Sequence, residues 1–313
     1  MFNRRKLVKY KDNLIKKYHL LKPLNVSYVN IREDQLFFIT GYDKSGTTWM
    51  KKAINAVDGF SCLGSNQFFD LMPSKNGMST FTRHLINMNN ENNPFNLNKN
   101  TFYDLFRNNY LNKICKLSPK NNMYYGEKST AQDVNSIQYF FPGSKQIVLV
   151  RDMRDIIVSF AFHFERRYKY KEKKWSPQRS KFDEKGFIKE DFIKREVGKI
   201  KTYYEHLNMH RKNDNVLFIK YEDLNSNQGK HYFINIISHI CNKDTDEFKA
   251  SITKSWKNHT FEKLTKGRKK GEVDTKSFFR SGKSGDFIRY LKEEQIMFIN
   301  KELNDYLKQY QYI

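Results

Sequence analysis

The sequence predicts an α/β protein, a P-loop-like three-layer fold with a central, mostly parallel sheet flanked by helices. Three observations carry this. First, the runs QLFFIT (35–40), KQIVLV (145–150) and NVLFIK (215–220) are short, β-branched or aromatic, and bounded by polar residues, as strands buried on both faces are. Second, the first two runs are each followed by a loop and then by helical periodicity, the strand-loop-helix order of a parallel sheet. Third, Gly41 and Gly46 bound the first loop with the spacing of a phosphate-gripping turn. Ligands of such folds bind at the carboxyl ends of the strands.

Taken in order, residues 1–34 read as a basic helical extension, with Leu7, Tyr10, Leu14, Tyr18 and Leu21 at helical spacing among lysines. Packing on the domain with a charged outer face and binding to a membrane surface are both open to it. The first strand leads through the glycine loop into TTWMKKAINAV (47–57), a helix. INMNNENNPFNLNKN (86–100) reads as a surface excursion, a lid over the site. The second strand feeds RDMRDIIVSFAFHF, a helix with Ile156, Ile157, Phe160 and Phe164 on one face, and a polar, mobile segment follows at 166–186. After the third strand, residues 292–312 read as one closing helix with Ile296, Phe298, Ile299, Leu303 and Leu307 aligned. There is no internal repeat, so residues 1–313 are expected to form a single domain with a core at about 35–310.

The 57 Lys and Arg against 34 Asp and Glu leave a net charge of +23, which favours an anionic ligand: nucleic acid, membrane, polyanion or a phosphorylated small molecule. The basic runs at 4–17, 166–174 and 263–270 each have the simpler reading of a solvated face. Three dispersed cysteines, Cys62, Cys115 and Cys241, suit a reducing compartment and neither a disulfide framework nor a zinc site. No run reaches the roughly 18 apolar residues of a membrane span, and the start lacks the apolar core of a signal peptide. The expectation is a soluble, cytoplasmic protein.

Three loops carry the chemistry. GYDKSGTTW delivers a glycine-bounded turn into a helix N-terminus, where backbone N–H groups and the helix dipole favour an anion. Its lysine, Lys44, precedes Gly46, and Thr47 stands where a nucleotidase has lysine, so the usual parts for Mg²⁺ and a nucleoside triphosphate are missing. In VLVRDMRDIIVSF, Arg151 at the strand end and Ser159 on the helix can converge on a second phosphate, or Arg151 can pair with Asp152 or Asp155. In SFFRSGKSGDF, Arg280, Gly282, Lys283 and Gly285 make a basic loop suited to wrapping an anion, or else a solvated linker.

Together with IKYEDL, these motifs resemble, in order and separation, those of the sulfotransferases that use 3'-phosphoadenosine 5'-phosphosulfate (PAPS), particularly the cytosolic-type and related bacterial enzymes. The resemblance covers about residues 35–310. It implies that Lys44, Ser45, Gly46, Thr47 and Thr48 hold the 5'-phosphosulfate and that Trp49 lies against the adenine. It further implies that Arg151 and Ser159 bind the 3'-phosphate, that Arg280, Ser281 and Gly282 cover it, and that Tyr221, Thr260 and Phe261, with His259, border the adenosine. Catalysis would fall to Lys44 and to Lys128 of YGEKSTAQD, with no metal.

Two positions depart from the family pattern. Asp43 replaces its proline, and this carboxylate is expected to turn away or pair with a cation. Ser281 replaces a lysine, with Lys283 a possible substitute. The base that deprotonates the acceptor is not fixed. The family's histidine position is Thr130 here and its glutamate position near Phe68 is vacant, leaving His84, Glu127 and Asp70 as candidates; His163 reads as structural. The acceptor is a small molecule or saccharide bearing a hydroxyl or amine, and a homodimer is open. The competing readings are a P-loop kinase or nucleotidase, or an inactive homologue that binds anions or nucleic acid. The chain shows no aromatic-basic RNA motif, and no nucleic-acid partner is expected.

Overall fold

Five strands form one sheet in the order β2-β3-β1-β4-β5, and every pairing is parallel: β1 Leu36–Gly41, β2 Phe60–Leu63, β3 Tyr124–Lys128, β4 Lys145–Val150 and β5 Val216–Lys220. They come from a computed structural model that describes residues 31–64, 99–118, 122–129, 134–242 and 245–313, all within the compact unit Ile31–Ile313. Residues 1–30, most of the Asn-rich stretch, Asp70, His84 and Thr130 lie outside the described residues.

All three strands expected from sequence are present, each within one residue of its expected limits. β2 and β3 were not among them: FSCL and YYGEK lack long β-branched runs. Gly126 in β3 is explained by contact, since a Cβ there would lie 2.3 Å from the Phe37 ring.

The helices are α1 Thr47–Ile54, α2 Lys99–Leu117, α3 Val134–Phe140, α4 Met153–Arg166, α5 Glu190–Asn208, α6 Tyr221–Leu224, α7 Gly229–Cys241, α8 Lys249–Asn258, α9 Phe261–Leu264, α10 Glu293–Glu302 and α11 Asn304–Gln309. Alternation along the strands sorts them into layers. Phe37 and Ile39 of β1, Ile147 and Leu149 of β4 and Ile219 of β5 pack with Met50 and Ile54 of α1, Phe233 and Ile237 of α7 and Ile252 of α8. On the opposite face, Leu36 and Phe38 meet Tyr110 and Ile114 of α2 and Ile137 of α3. Val148 and Val150 share that face with Ile156 of α4, Tyr204 of α5, Ile299 of α10 and Leu307 of α11. Each such side chain contributes about 1.5–3 kcal/mol on full burial, so the two apolar layers hold the sheet between them.

Local chemistry sets the boundaries. Asp152 caps α4 by accepting from the Arg154 N–H at 2.9 Å, and its second oxygen takes Arg154 Nη2 at 2.7 Å. This leaves Arg151 outside the helix, at the tip of β4. Residues 292–312 form two helices rather than one, because Leu303 leaves helical geometry (φ −113°, ψ 18°). The helix after the glycine loop stops at Ile54, three residues short of expectation. The polar segment 166–186 is tied down: after a π-turn at Arg167–Lys171, Trp175 Nε1 and the Lys181 N–H both donate to Glu165, at 2.8 and 2.7 Å. Among the described residues no helix is long and apolar enough to cross a membrane.

Candidate active site

The carboxyl ends of β1, β3, β4 and β5 open onto a cavity of about 420 Å³. Register sets its floor, since Ile39 pairs with Lys128 and Gly41 with Leu149, which brings the glycine loop, Lys128 and Arg151 to one edge.

The glycine loop fits only as written. A Cβ at Gly41 would lie 2.4 Å from Ser45 Oγ and 2.7 Å from the Leu149 carbonyl; one at Gly46, where φ is +106°, would lie 2.9 Å from the Tyr221 ring. The Ser45 N–H closes the turn onto the Tyr42 carbonyl at 3.0 Å, and Lys44 takes the left-handed conformation (φ +76°). Gly46, Thr47 and Thr48 then line the cavity at the start of α1, where helical N–H groups lack intrahelical acceptors. Ser45 Oγ is buried beneath the loop without a partner and does not line the cavity.

Lys44 reaches between two rings, its ammonium 5.9 Å from the centre of Phe160 and 5.5 Å from that of Phe278. Burial pushes its pKa down to about 8; Asp43 opposes this, and Arg166 and Lys128 add to it. Lys128 lines the same cavity.

Arg151 donates from Nη1 to the Lys44 carbonyl at 3.0 Å, stands 3.9 Å from Asp155 and lies over the Tyr221 ring at 4.6 Å. Asp155 is the closer of the two expected partners, because Asp152 is committed to Arg154. Asp155 in turn accepts from the N–H groups of Gly285 and Phe287 at 2.7 and 3.1 Å, which ties the third basic loop to the second. Ser159, one turn further along α4, lines the cavity.

In the third loop Arg280, Ser281 and Gly282 all line the cavity. The Arg280 guanidinium is paired with Asp286 at 2.5 Å and lies 4.5 Å over the Phe162 ring. Gly282 (φ +63°) rests on Phe261, where a Cβ would come within 2.3 Å of the ring, and its carbonyl accepts from Asn225 Nδ2 at 2.8 Å. Trp49 donates Nε1 to the His259 carbonyl at 2.7 Å and meets Tyr221 edge-on, so Trp49, Tyr221 and Phe261 form an aromatic end to the cavity. Thr260 caps α9 instead of lining the wall.

Three basic loops and an aromatic end thus face one cavity, and the family follows from the sequence match. Residues 34–311 match the family model described as "Sulfotransferase domain". The chain belongs to the sulfotransferase family. Among solved structures, mouse sulfotransferase SULT7A1, complexed with PAP, aligns at 15% identity over 88% of this chain and 85% of its own, with a TM-score of 0.54. Sulfotransferase STF9 from Mycobacterium avium aligns at 7% identity over 93% and 80%, with a TM-score of 0.53. No curated relative matches by sequence. At these identities the structures support the fold.

Within this sulfotransferase, several expectations need correction. Glu127 is not placed to act as base: its side chain is fully buried on the far side of β3 and accepts from Tyr110 Oη at 3.0 Å. Asp43 lines the cavity, exposed, where its charge favours the protonated form of Lys44, and it has no hydrogen-bond or ion-pair partner among the described residues. Lys283 does not line the cavity, so it does not stand in for the missing lysine at Ser281. His163, read as structural, lines the wall; burial, followed by Lys44, Arg166, Arg167 and Lys171, pushes its pKa down to about 4.

Other wall residues were not singled out from sequence. Phe162, Phe278 and Phe279 make the side beyond Lys44 aromatic, together with Phe164, which the sequence places only on the packed face of its helix. Arg268 sits in a run that reads as a solvated basic face. It donates instead to the carbonyls of Arg280 at 2.9 Å, Phe279 at 2.6 Å and Glu272 at 3.1 Å, and fixes the third loop from behind.

Proposed function

We propose that this sulfotransferase transfers a sulfuryl group from PAPS to a hydroxyl or amine of its acceptor, releasing adenosine 3',5'-bisphosphate. The observation that carries the reading is the convergence of three basic loops on one cavity, with Arg151 bonded to the backbone of Lys44. The cavity fits such a nucleotide. The Arg151 Nε is buried without a partner, Lys44 and Lys128 have no carboxylate within ion-pair distance among the described residues, and two glycines leave room for close backbone approach. The mouse relative complexed with PAP agrees in fold with this reading.

PAPS supplies a sulfuryl group attached to a good leaving group, its own 5'-phosphate. The chain contributes position and charge. The N–H groups at the start of α1 and the Lys44 ammonium hold the 5' end, and Lys128 faces the transferring group. Arg151 and Ser159, with Arg280 covering, hold the 3'-phosphate. Trp49, Tyr221 and Phe261 stack the base. Sulfuryl transfer demands an in-line nucleophile, charge stabilisation on the leaving oxygen and exclusion of water, and the aromatic wall around Lys44 serves the last. We also take the chain to be one catalytic domain with a basic N-terminal extension, acting in the cytoplasm on a small-molecule or saccharide acceptor.

Labelled PAPS offered with a broad panel of hydroxyl and amine acceptors tests this. Transfer of label without added metal is expected. Phosphoryl transfer from ATP that requires Mg²⁺, with none from PAPS, would establish the kinase reading instead.

A further inference from the structure

We propose that Asp43 is the general base that takes the proton from the acceptor. This rests on the sulfotransferase reading above. Among the described residues, the carboxylates near the site are otherwise occupied, and Asp70 and His84 lie outside those residues. Asp155 accepts two backbone N–H groups, Glu222 accepts from Tyr312 Oη at 2.7 Å and from the Asp152 N–H, Asp286 holds Arg280, Glu165 holds Trp175 and Lys181, and Glu127 is sealed against Tyr110. None of the five lines the cavity. Asp43 does, immediately before Lys44, and its oxygens are free among the described residues.

His163, the histidine in the wall, is poorly disposed for this task. Its Nδ1 faces Arg166 Nη2 at 3.5 Å, and a guanidinium can only donate, so the neutral ring carries its proton on Nε2. A carboxylate beside an anion site costs cofactor affinity, which makes Asp43 unfavourable as a binding residue and intelligible as a reacting one.

In the step this implies, the acceptor O–H (or N–H) proton passes to an Asp43 oxygen as the acceptor atom bonds to sulfur. The bond from sulfur to the bridging oxygen breaks, and its electron pair stays on the 5'-phosphate, beside Lys44. Asp43 is exposed and returns the proton to water.

The test compares wild type, Asp43→Asn and Asp43→Glu, using whichever panel acceptor the wild type sulfates, with adenosine 3',5'-bisphosphate binding measured by calorimetry. Asp43→Asn should bind the bisphosphate as tightly as wild type or tighter, which also reports its folding, while kcat falls by about 100-fold or more, the lower end of general-base catalysis. Asp43→Glu should recover part of that loss. A kcat for Asp43→Asn within a few-fold of wild type would overturn the assignment and leave the sulfotransferase reading intact. Absence of any sulfated product from wild type, with no bisphosphate binding, would overturn the reading itself.

Discussion

The guanidinium of Arg151 donates to the main-chain carbonyl of Lys44 at 3.0 Å, which ties the tip of β4 to the turn after β1. The two cations belong to different strand-loop-helix units, and side-by-side pairing of β1 with β4 brings them together. The spacing between the two basic loops is therefore set by the sheet itself.

In the proposed reaction Lys44 is the cation that meets charge on the leaving oxygen. Lys44→Ala should lower kcat by about 10²–10³, the scale for removal of one preorganised donor to a developing charge. Steady-state kinetics at saturating PAPS checks this; activity within a few-fold of wild type would refute the role.

The depressed pKa of Lys44 gives a signed pH dependence. Only its protonated form attracts an anion, and in the free protein that form is lost above about 8. Bound anions raise the pKa, so affinity for adenosine 3',5'-bisphosphate should fall as pH rises above about 8, by up to about tenfold per unit. For folding the sign is reversed: the unfolded chain binds the extra proton between about 8 and 10.5, so this group's contribution to stability rises with pH in that window. Calorimetry from pH 7 upward reads the first effect and chemical denaturation the second.

Arg268 never enters the cavity, yet it fixes the carbonyls of Phe279 and Arg280. Arg268→Ala should raise the dissociation constant for the bisphosphate by roughly 10- to 100-fold, the worth of a few charge-assisted hydrogen bonds. Arg268→Lys should not restore it, because an ammonium cannot span several carbonyls as a planar fork does. Titration calorimetry of both variants decides this.

Gly282 is sterically determined. With φ +63° and the Phe261 ring 2.3 Å from where a Cβ would sit, Gly282→Ala must displace a ring that lines the aromatic end of the cavity. A loss of about 1–3 kcal/mol in stability is expected from backbone strain alone, together with weaker bisphosphate binding. Thermal melts with and without the nucleotide measure both.

Much of this was legible in sequence because the informative signals were local. The β1 and β4 runs are apolar on both faces, and each ends in a basic loop whose residues act within a few positions of the strand tip. β2 and β3 escaped notice because FSCL and YYGEK owe their strand state to neighbours such as Phe37, not to their own propensity. Glu127 is a candidate base in sequence, but strand alternation sends its side chain and that of Lys128 to opposite faces, and only Lys128 lines the cavity. Arg268 and Asp43 were opaque for a related reason. A charge in a sequence carries no sign of whether its partner is water, a distant carbonyl or a substrate.

Titration with adenosine 3',5'-bisphosphate, run beside adenosine 5'-monophosphate and repeated on Arg151→Ala, tests most directly whether these loops clasp one nucleotide at both phosphates. One bisphosphate should bind per chain, far more tightly than the monophosphate, and Arg151→Ala should erase that preference. Equal affinity for the two nucleotides, or no binding of either, would contradict it.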